Sequence, residues 1–299
     1  MTSSKHFRIR ILILIFFITW TAAGCGLNTG KFLNVEGKFD GERALGDVQA
    51  QVELGPRIPN TEGHARVRQL ISEELILAGW DVQIQSASRL GHPLFNIIGT
   101  ADGKQGGILL GAHYDTRIYA DQDPLVENRM KPVPGANDGA SGVAVLLELA
   151  RVLPEDLRGS VTFVFFDGED NGGIEDWDWI LGSQAYAEAV DPEPEVAVIV
   201  DMIGDRDLQI YQEKTSTAWL TDEIWKSAAE LGYDHVFIPR PKYSIVDDHT
   251  PFLKARIPAV DIIDFDYPYW HTTDDTVDKV SADSLQIVGD TLLHWLVNR

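Results

Sequence analysis

"GGILLGAHYDTR", residues 106–117, runs an apolar stretch into an abruptly polar end. Ile108, Leu109 and Leu110 read as a buried strand. His113 and Asp115 follow two positions apart, and residues i and i+2 of a strand face the same way. Both would project from the end of the sheet, where open α/β sheets place their ligands. A histidine and an aspartate so placed can also form a closed structural pair, because charge networks perturb ionisable groups as sites do. What else converges on that edge decides between the two.

Outward from this strand, the chain alternates between two periodicities. Apolar residues at Val67, Leu70, Ile71, Leu75 and Ile76 have helical spacing, ending near Gly79. Further helices are expected over 138–153, 183–189, 220–233 and 281–297, the last with Ser281 or Asp283 as its cap. Strands are expected over 81–87, 95–100, 107–115, 161–170, 196–204 and 257–265. No linker or internal repeat divides residues 39–299, so the reading is one α/β domain with a largely buried, mostly parallel sheet.

The chain has 299 residues, 44% of them apolar, which is ample for a sizeable core and excludes wholesale disorder. A formal net charge of -21 excludes nucleic acid as a partner, since phosphates would be repelled. The first residues read as an export signal: Lys5, Arg8 and Arg10, an apolar run from Ile11 to Trp20, then Ala22-Ala23-Gly24. Ala-Ala-Gly-Cys resembles a bacterial lipobox, with Ala22 where leucine is most common, and makes Cys25 the expected lipidation site. The expected layout is a lipoprotein signal peptide at 1–24, a tether at 25–38 and an enzyme domain at 39–299. The alternative is a plain signal peptide with an incidental cysteine, leaving the protein periplasmic or secreted. The lipoprotein reading anchors the domain to the outer face of the bacterial cell membrane by lipid alone. Cys25 is the only cysteine, so no disulfide is expected. Removing residues 1–24 takes away three positive charges and no acids, leaving -24.

Each apolar strand ends in acids or histidine: "LLGAHYD", "FVFFDGED" and "VIVDMIGD". "DGASGV" opens a helix with Asp138, and "YWHTTDDT" precedes the last helix. Five chain-distant segments thus bring His113, Asp115, Asp138, Glu169, Asp170, Asp201 and His271 toward one sheet edge. So many carboxylates cannot all stay charged close together without a cation. A mixed histidine and carboxylate shell suits Zn²⁺ best, with Mn²⁺ or Co²⁺ as alternatives. Asp138 alone would also serve as a helix cap.

"GAHYDT", "ANDGASG", "FFDGED", "DMIGD", "DDHTPFL" and "WHTTDDT", in this order, resemble the M28 zinc metallopeptidase superfamily. That superfamily holds both the zinc aminopeptidases and the animal-type glutaminyl cyclases. The resemblance extends from "GPRIPNTEGH" to the final helix. It implies a three-layer α/β/α sandwich with a central mixed sheet and a metal site at the sheet's C-terminal edge. By position, Asp138, Asp170 and His271 resemble the metal ligands, and Glu169 the general acid/base. His113 and Asp201 resemble the residues that complete a second zinc site in the aminopeptidases, and Asp115 would orient His113. The acid pair is usually Glu-Glu, and here it is Glu169-Asp170, with a shorter arm at the ligand.

Both chemistries use these parts. An aminopeptidase would use two zinc ions to activate water, with Glu169 carrying the proton to the leaving amine. A cyclase would use one zinc to polarise the γ-amide of an N-terminal glutamine, with Asp201 and Asp247 beside Glu169 in the proton network. Trp270 before His271, Asp247 in "DDHTPFLKARIPAV", and Trp177 and Trp179 after the acid pair resemble the cyclases, where tryptophans wall the glutamine pocket. The favoured reading is therefore glutaminyl-peptide cyclotransfer on peptide or protein N-termini, ahead of an M28-type aminopeptidase. A non-catalytic peptide-binding lipoprotein should have lost Glu169 or a ligand, and none is missing. A serine hydrolase should carry G-x-S-x-G, and "GASG" around Ser141 does not. His64, His92, His235 and His294 read as surface or core residues, and His249 as near the site.

Overall fold

Strand β3 (Ile108–His113) sends Ile108, Leu110 and Ala112 into one hydrophobic cluster and Leu109 into another. The same period-two split recurs in β4 (Val161–Phe166), β5 (Val196–Asp201) and β8 (Ala259–Ile263). A sheet buried on both faces explains why these strands read as nearly continuous apolar runs. The computed structural model describes residues 37–299. The expected signal segment 1–24, Cys25 and the expected tether up to residue 36 lie outside the described residues.

One face of the sheet is covered by α1 (Gly41–Glu53), α2 (Glu62–Leu77), α3 (Ala140–Val152), α6 (Ala218–Glu230) and α8 (Ala282–Asn298). A four-residue helix, α4 (Glu155–Arg158), leads into β4. The other face carries α5 (Leu181–Ala189) and α7 (Thr250–Lys254), which contribute Tyr186 and Phe252. This is the three-layer α/β/α sandwich. Strands β1 (Asp81–Arg89) and β2 (His92–Thr100) complete a six-stranded sheet of order β1-β2-β4-β3-β5-β8. The β1–β2 and β2–β4 pairs are antiparallel, and the three remaining pairs are parallel. A separate two-stranded parallel sheet joins β6 (Ile210–Gln212) to β7 (Phe237–Pro241). Among the described residues no helix is long and apolar enough to cross a membrane.

Ser281 caps α8 by accepting the Ser284 amide at 3.1 Å, so Asp283 lies inside the helix. Helix α1 has no counterpart in the sequence reading. Its buried positions are Gly41, Ala44, Val48 and Gln51, small or polar residues that make a weak apolar stripe.

Candidate active site

Strand β3 lies between β4 and β5, and the chain leaves it for β4 on one side before reaching β5 on the other. Connections that diverge in this way open a crevice at the C-terminal ends of the strands, a topological switch point. His113 is the last residue of β3 and Asp201 the last of β5, while Glu169 and Asp170 follow β4 by a short turn. Asp138 sits just before α3 and makes no cap bond to it; Gly139 occupies the cap at φ +86°. A Cβ on Gly139 would stand 3.0 Å from the Asp115 carbonyl oxygen and 3.1 Å from the His113 ring. Only glycine lets the Asp138 turn approach β3 so closely.

These side chains converge. His113 Nε2 lies 3.1 Å from Asp138 Oδ1 and 3.1 Å from Asp201 Oδ1. His271 Nε2 lies 2.7 Å from Asp170 Oδ1 and 3.7 Å from Asp138 Oδ2. Two three-donor groups result, His113-Asp138-Asp201 and Asp138-Asp170-His271, each with ligand atoms within 4.8 Å of one another. Asp138 is common to both. The shorter arm of Asp170 therefore reaches.

Supporting residues hold the donors. Asp115 accepts the backbone N–H groups of Glu169 at 3.0 Å and Asp170 at 3.3 Å, and the Asn171 amide at 3.1 Å. Its carboxylate stays 3.6 Å from His113 Nδ1, so its closest bonds fix the acid-pair turn rather than the imidazole. Asp275, bonded by the Tyr267 hydroxyl at 2.7 Å, accepts the Asn137 and Asp138 N–H groups at 2.8 and 3.1 Å. The buried guanidinium of Arg57 donates to the carbonyls of Pro134 at 2.6 Å and Gly135 at 2.5 Å, beneath the same turn. His271 itself is held at φ +54°, a left-handed conformation costing about 1–3 kcal/mol outside glycine.

The donor set suits a cation. Asp138 Oδ2 and Asp170 Oδ2 are buried without a hydrogen-bond partner, which is costly for carboxylate oxygens. Two carboxylates and an imidazole beside a cavity match the ligand types of a catalytic zinc shell. Burial pushes the Glu169 carboxyl well above the usual glutamate range, with Asp170, Asp247 and Asp248 adding to it. Burial likewise raises Asp201 to about 7, against the pull of His113. The edge therefore combines donors that could hold a metal with the Glu169 and Asp201 carboxyls, both held above their ordinary range by burial.

A cavity of about 320 Å³ opens over this group, at the small end of ligand pockets. Asp138, Glu169, Asp170, Asp201, Asp247 and His271 form its polar side. Trp179 and Trp270 line it, joined by Tyr243, Ile245, Val246 and Phe265, which the sequence reading did not single out. The reading of Trp177 as a substrate-binding residue is corrected. Its indole stacks on His92 at 3.8 Å and packs with Leu94 and Leu181, away from the cavity. Of the two tryptophans only Trp179 lines the pocket. His249 lies behind it, 3.0 Å from Thr215 Oγ1 and 3.4 Å from Glu213.

The peptidase family M28 model matches residues 96–296. A glutaminyl-peptide cyclotransferase-like protein of Bos taurus is 28% identical over 292 residues, covering 84% of this chain and 73% of that protein. The crystal structure of Tannerella forsythia glutaminyl cyclase superposes with TM-score 0.80 at 36% identity, over 88% of this chain and 99% of that one. A Zn-dependent exopeptidase from Parabacteroides distasonis superposes with TM-score 0.80 at 32% identity, over 88% and 99%. The switch-point crevice, its two three-donor groups and a family match over well over half the sequence lead to one conclusion: this enzyme belongs to peptidase family M28.

Proposed function

We propose that the enzyme is a zinc-dependent glutaminyl-peptide cyclotransferase, converting N-terminal glutamine to pyroglutamate with release of ammonia. The observation that carries this reading is the small aromatic-walled cavity whose floor joins Asp138, Asp170 and His271 to Glu169, Asp201 and Asp247. About 320 Å³ suits a single terminal residue and excludes a folded segment. Similarity to cyclases in both sequence and structure supports it.

Zinc held by Asp138, Asp170 and His271 would supply Lewis acidity toward the γ-carbonyl of the substrate. The remaining work falls to the protein. Trp179, Trp270 and Phe265 fold the glutamine side chain back and keep water from its carbonyl. The α-amine nitrogen bonds to Cδ while the Cδ–Nε bond breaks. Glu169 takes the proton lost by the amine and gives it to the leaving nitrogen, which departs as ammonia. A carboxyl held well above the ordinary glutamate range is suited to both halves of that transfer. Asp201 and Asp247, on the same wall, face the amine and keep it oriented.

The aminopeptidase reading has its own support in the second donor group, His113-Asp138-Asp201, and in the similarity to a Zn-dependent exopeptidase. One zinc goes with the cyclase reading and two with the aminopeptidase. Incubating the zinc-loaded domain with a Gln-initiated and a Leu-initiated peptide separates them. The cyclase reading expects loss of ammonia from the first, above the spontaneous rate, and an intact second. Removal of the N-terminal residue from either would install the aminopeptidase.

We further propose export and anchoring through lipidated Cys25, supported by the Ala22-Ala23-Gly24-Cys25 motif. Labelled palmitate should enter the full chain and not C25S; equal labelling of both would refute it.

A further inference from the structure

The segment between β3 and α3 closes on itself as a strap: the Ala120 N–H donates to the Lys131 carbonyl at 2.7 Å, and the Val133 N–H to the Arg117 carbonyl at 3.3 Å. Arg117, 4% exposed, is its keystone. Its guanidinium grips Asp121 with two parallel bonds, Nε to Oδ1 at 2.7 Å and Nη2 to Oδ2 at 2.8 Å. The same group donates from Nη1 to the Asp170 carbonyl at 2.7 Å and lies 4.9 Å from the centre of the Trp179 ring. Asp121 Oδ1 in turn stands 3.7 Å from Nδ1 of His271, a buried nitrogen without a hydrogen-bond partner. The strap also grasps the backbone there. The Gln122 N–H donates to the His271 carbonyl at 3.2 Å, and Asp123 accepts the Thr273 N–H at 3.0 Å and its hydroxyl at 2.6 Å.

We propose that Arg117 and Asp121 are positioning residues of the metal centre, setting ligands Asp170 and His271 and the pocket wall Trp179 together. Histidine ligands commonly have a carboxylate or carbonyl facing the ring nitrogen that does not bind metal, and Asp121 is the carboxylate so placed here. A forked guanidinium can hold Asp121, the Asp170 carbonyl and the Trp179 face at once; an ammonium cannot. The inference rests on the zinc-site reading above and deepens it.

The test measures zinc affinity by chelator competition for wild type, R117M, R117K and D121N, with the melting temperature of each EDTA-stripped protein as a check on folding. R117M should bind zinc about 10–100-fold more weakly. D121N should weaken it about 10-fold. R117K should fail to restore wild-type affinity, because charge without the fork does not fix Asp121. With Gln-initiated peptide at saturating zinc, R117M should raise KM more than it lowers kcat, through displacement of Trp179. Wild-type affinity in R117M and D121N, or full rescue by R117K, overturns the inference. Should R117M not fold, D121N alone still decides. A wild-type protein that binds no zinc overturns the zinc-site reading itself, and this inference with it.

Discussion

Two of the buried histidine–carboxylate groups beside the sheet, those of His64 and His271, differ in what they leave over. His64 Nε2 meets Asp167 Oδ1 at 2.8 Å, and Asp167 Oδ2 accepts the Phe95 N–H at 2.8 Å. Both carboxylate oxygens are used, the imidazole stacks on Tyr114, and the pair is closed. Around His271, Asp138 Oδ2 and Asp170 Oδ2 remain without hydrogen-bond partners although both residues are buried. A closed pair holds a fold together, whereas the open oxygens around His271 lie within a three-donor group with room for a cation. The question raised by "GAHYDTR" is answered by this difference: His113 faces two carboxylates of the open group, not one partner.

The strongest way to break the comparison is to remove one histidine from each group. H271A should lose zinc and reduce turnover by about 10³-fold or more, with the apo fold retained. H64A should keep zinc in each folded molecule and lose about 2–3 kcal/mol of stability, because Asp167 loses its partner. Metal analysis alongside urea melts checks both. Full zinc in H271A, or zinc loss in folded H64A, would erase the distinction.

A smaller effect separates the two tryptophans. W179A should raise KM for a Gln-initiated peptide about tenfold, while W177A should leave KM unchanged and lower stability by about 3 kcal/mol through the packing lost around His92 and Leu94. Equal changes in KM would put Trp177 back in the pocket.

The smallest effect is a pH trend. Burial raises Asp201 and Asp264 to about 7, whereas an unfolded aspartate titrates near about 3.9. Between about pH 4 and 7 the folded protein therefore holds protons that the unfolded chain has released. Zinc-stripped protein should lose stability as pH rises through that window. Added zinc should reverse the trend toward neutrality, since its ligands bind deprotonated. Urea melts with and without EDTA read this directly; a stripped protein gaining stability over the window would contradict it.

The donors were legible because His113, Glu169, Asp170 and Asp201 end or closely follow apolar runs and break their pattern, whereas Asp261 interrupts such a run from within β8. The helices and central strands were legible from their periods. Other parts carry no local signal. Asp275 supports the Asp138 turn from more than a hundred residues away, and only the fold joins them. Tyr243, Ile245, Val246 and Phe265 reach the cavity from irregular segments without a period. Trp177 and Trp179 looked alike in sequence; the turn of the chain between them sends one into the core. Helix α1 escaped notice because it buries Gly41, Ala44 and Gln51 as readily as Val48.

The most direct measurement of the central claim is made on E169Q: its zinc content, and its turnover of Gln-initiated peptide. Glu169 belongs to neither three-donor group, and its proton transfer is the step that a glutamine cannot perform. The account predicts zinc at the wild-type level with turnover about 10²–10⁴-fold lower. Turnover at the wild-type rate would contradict it.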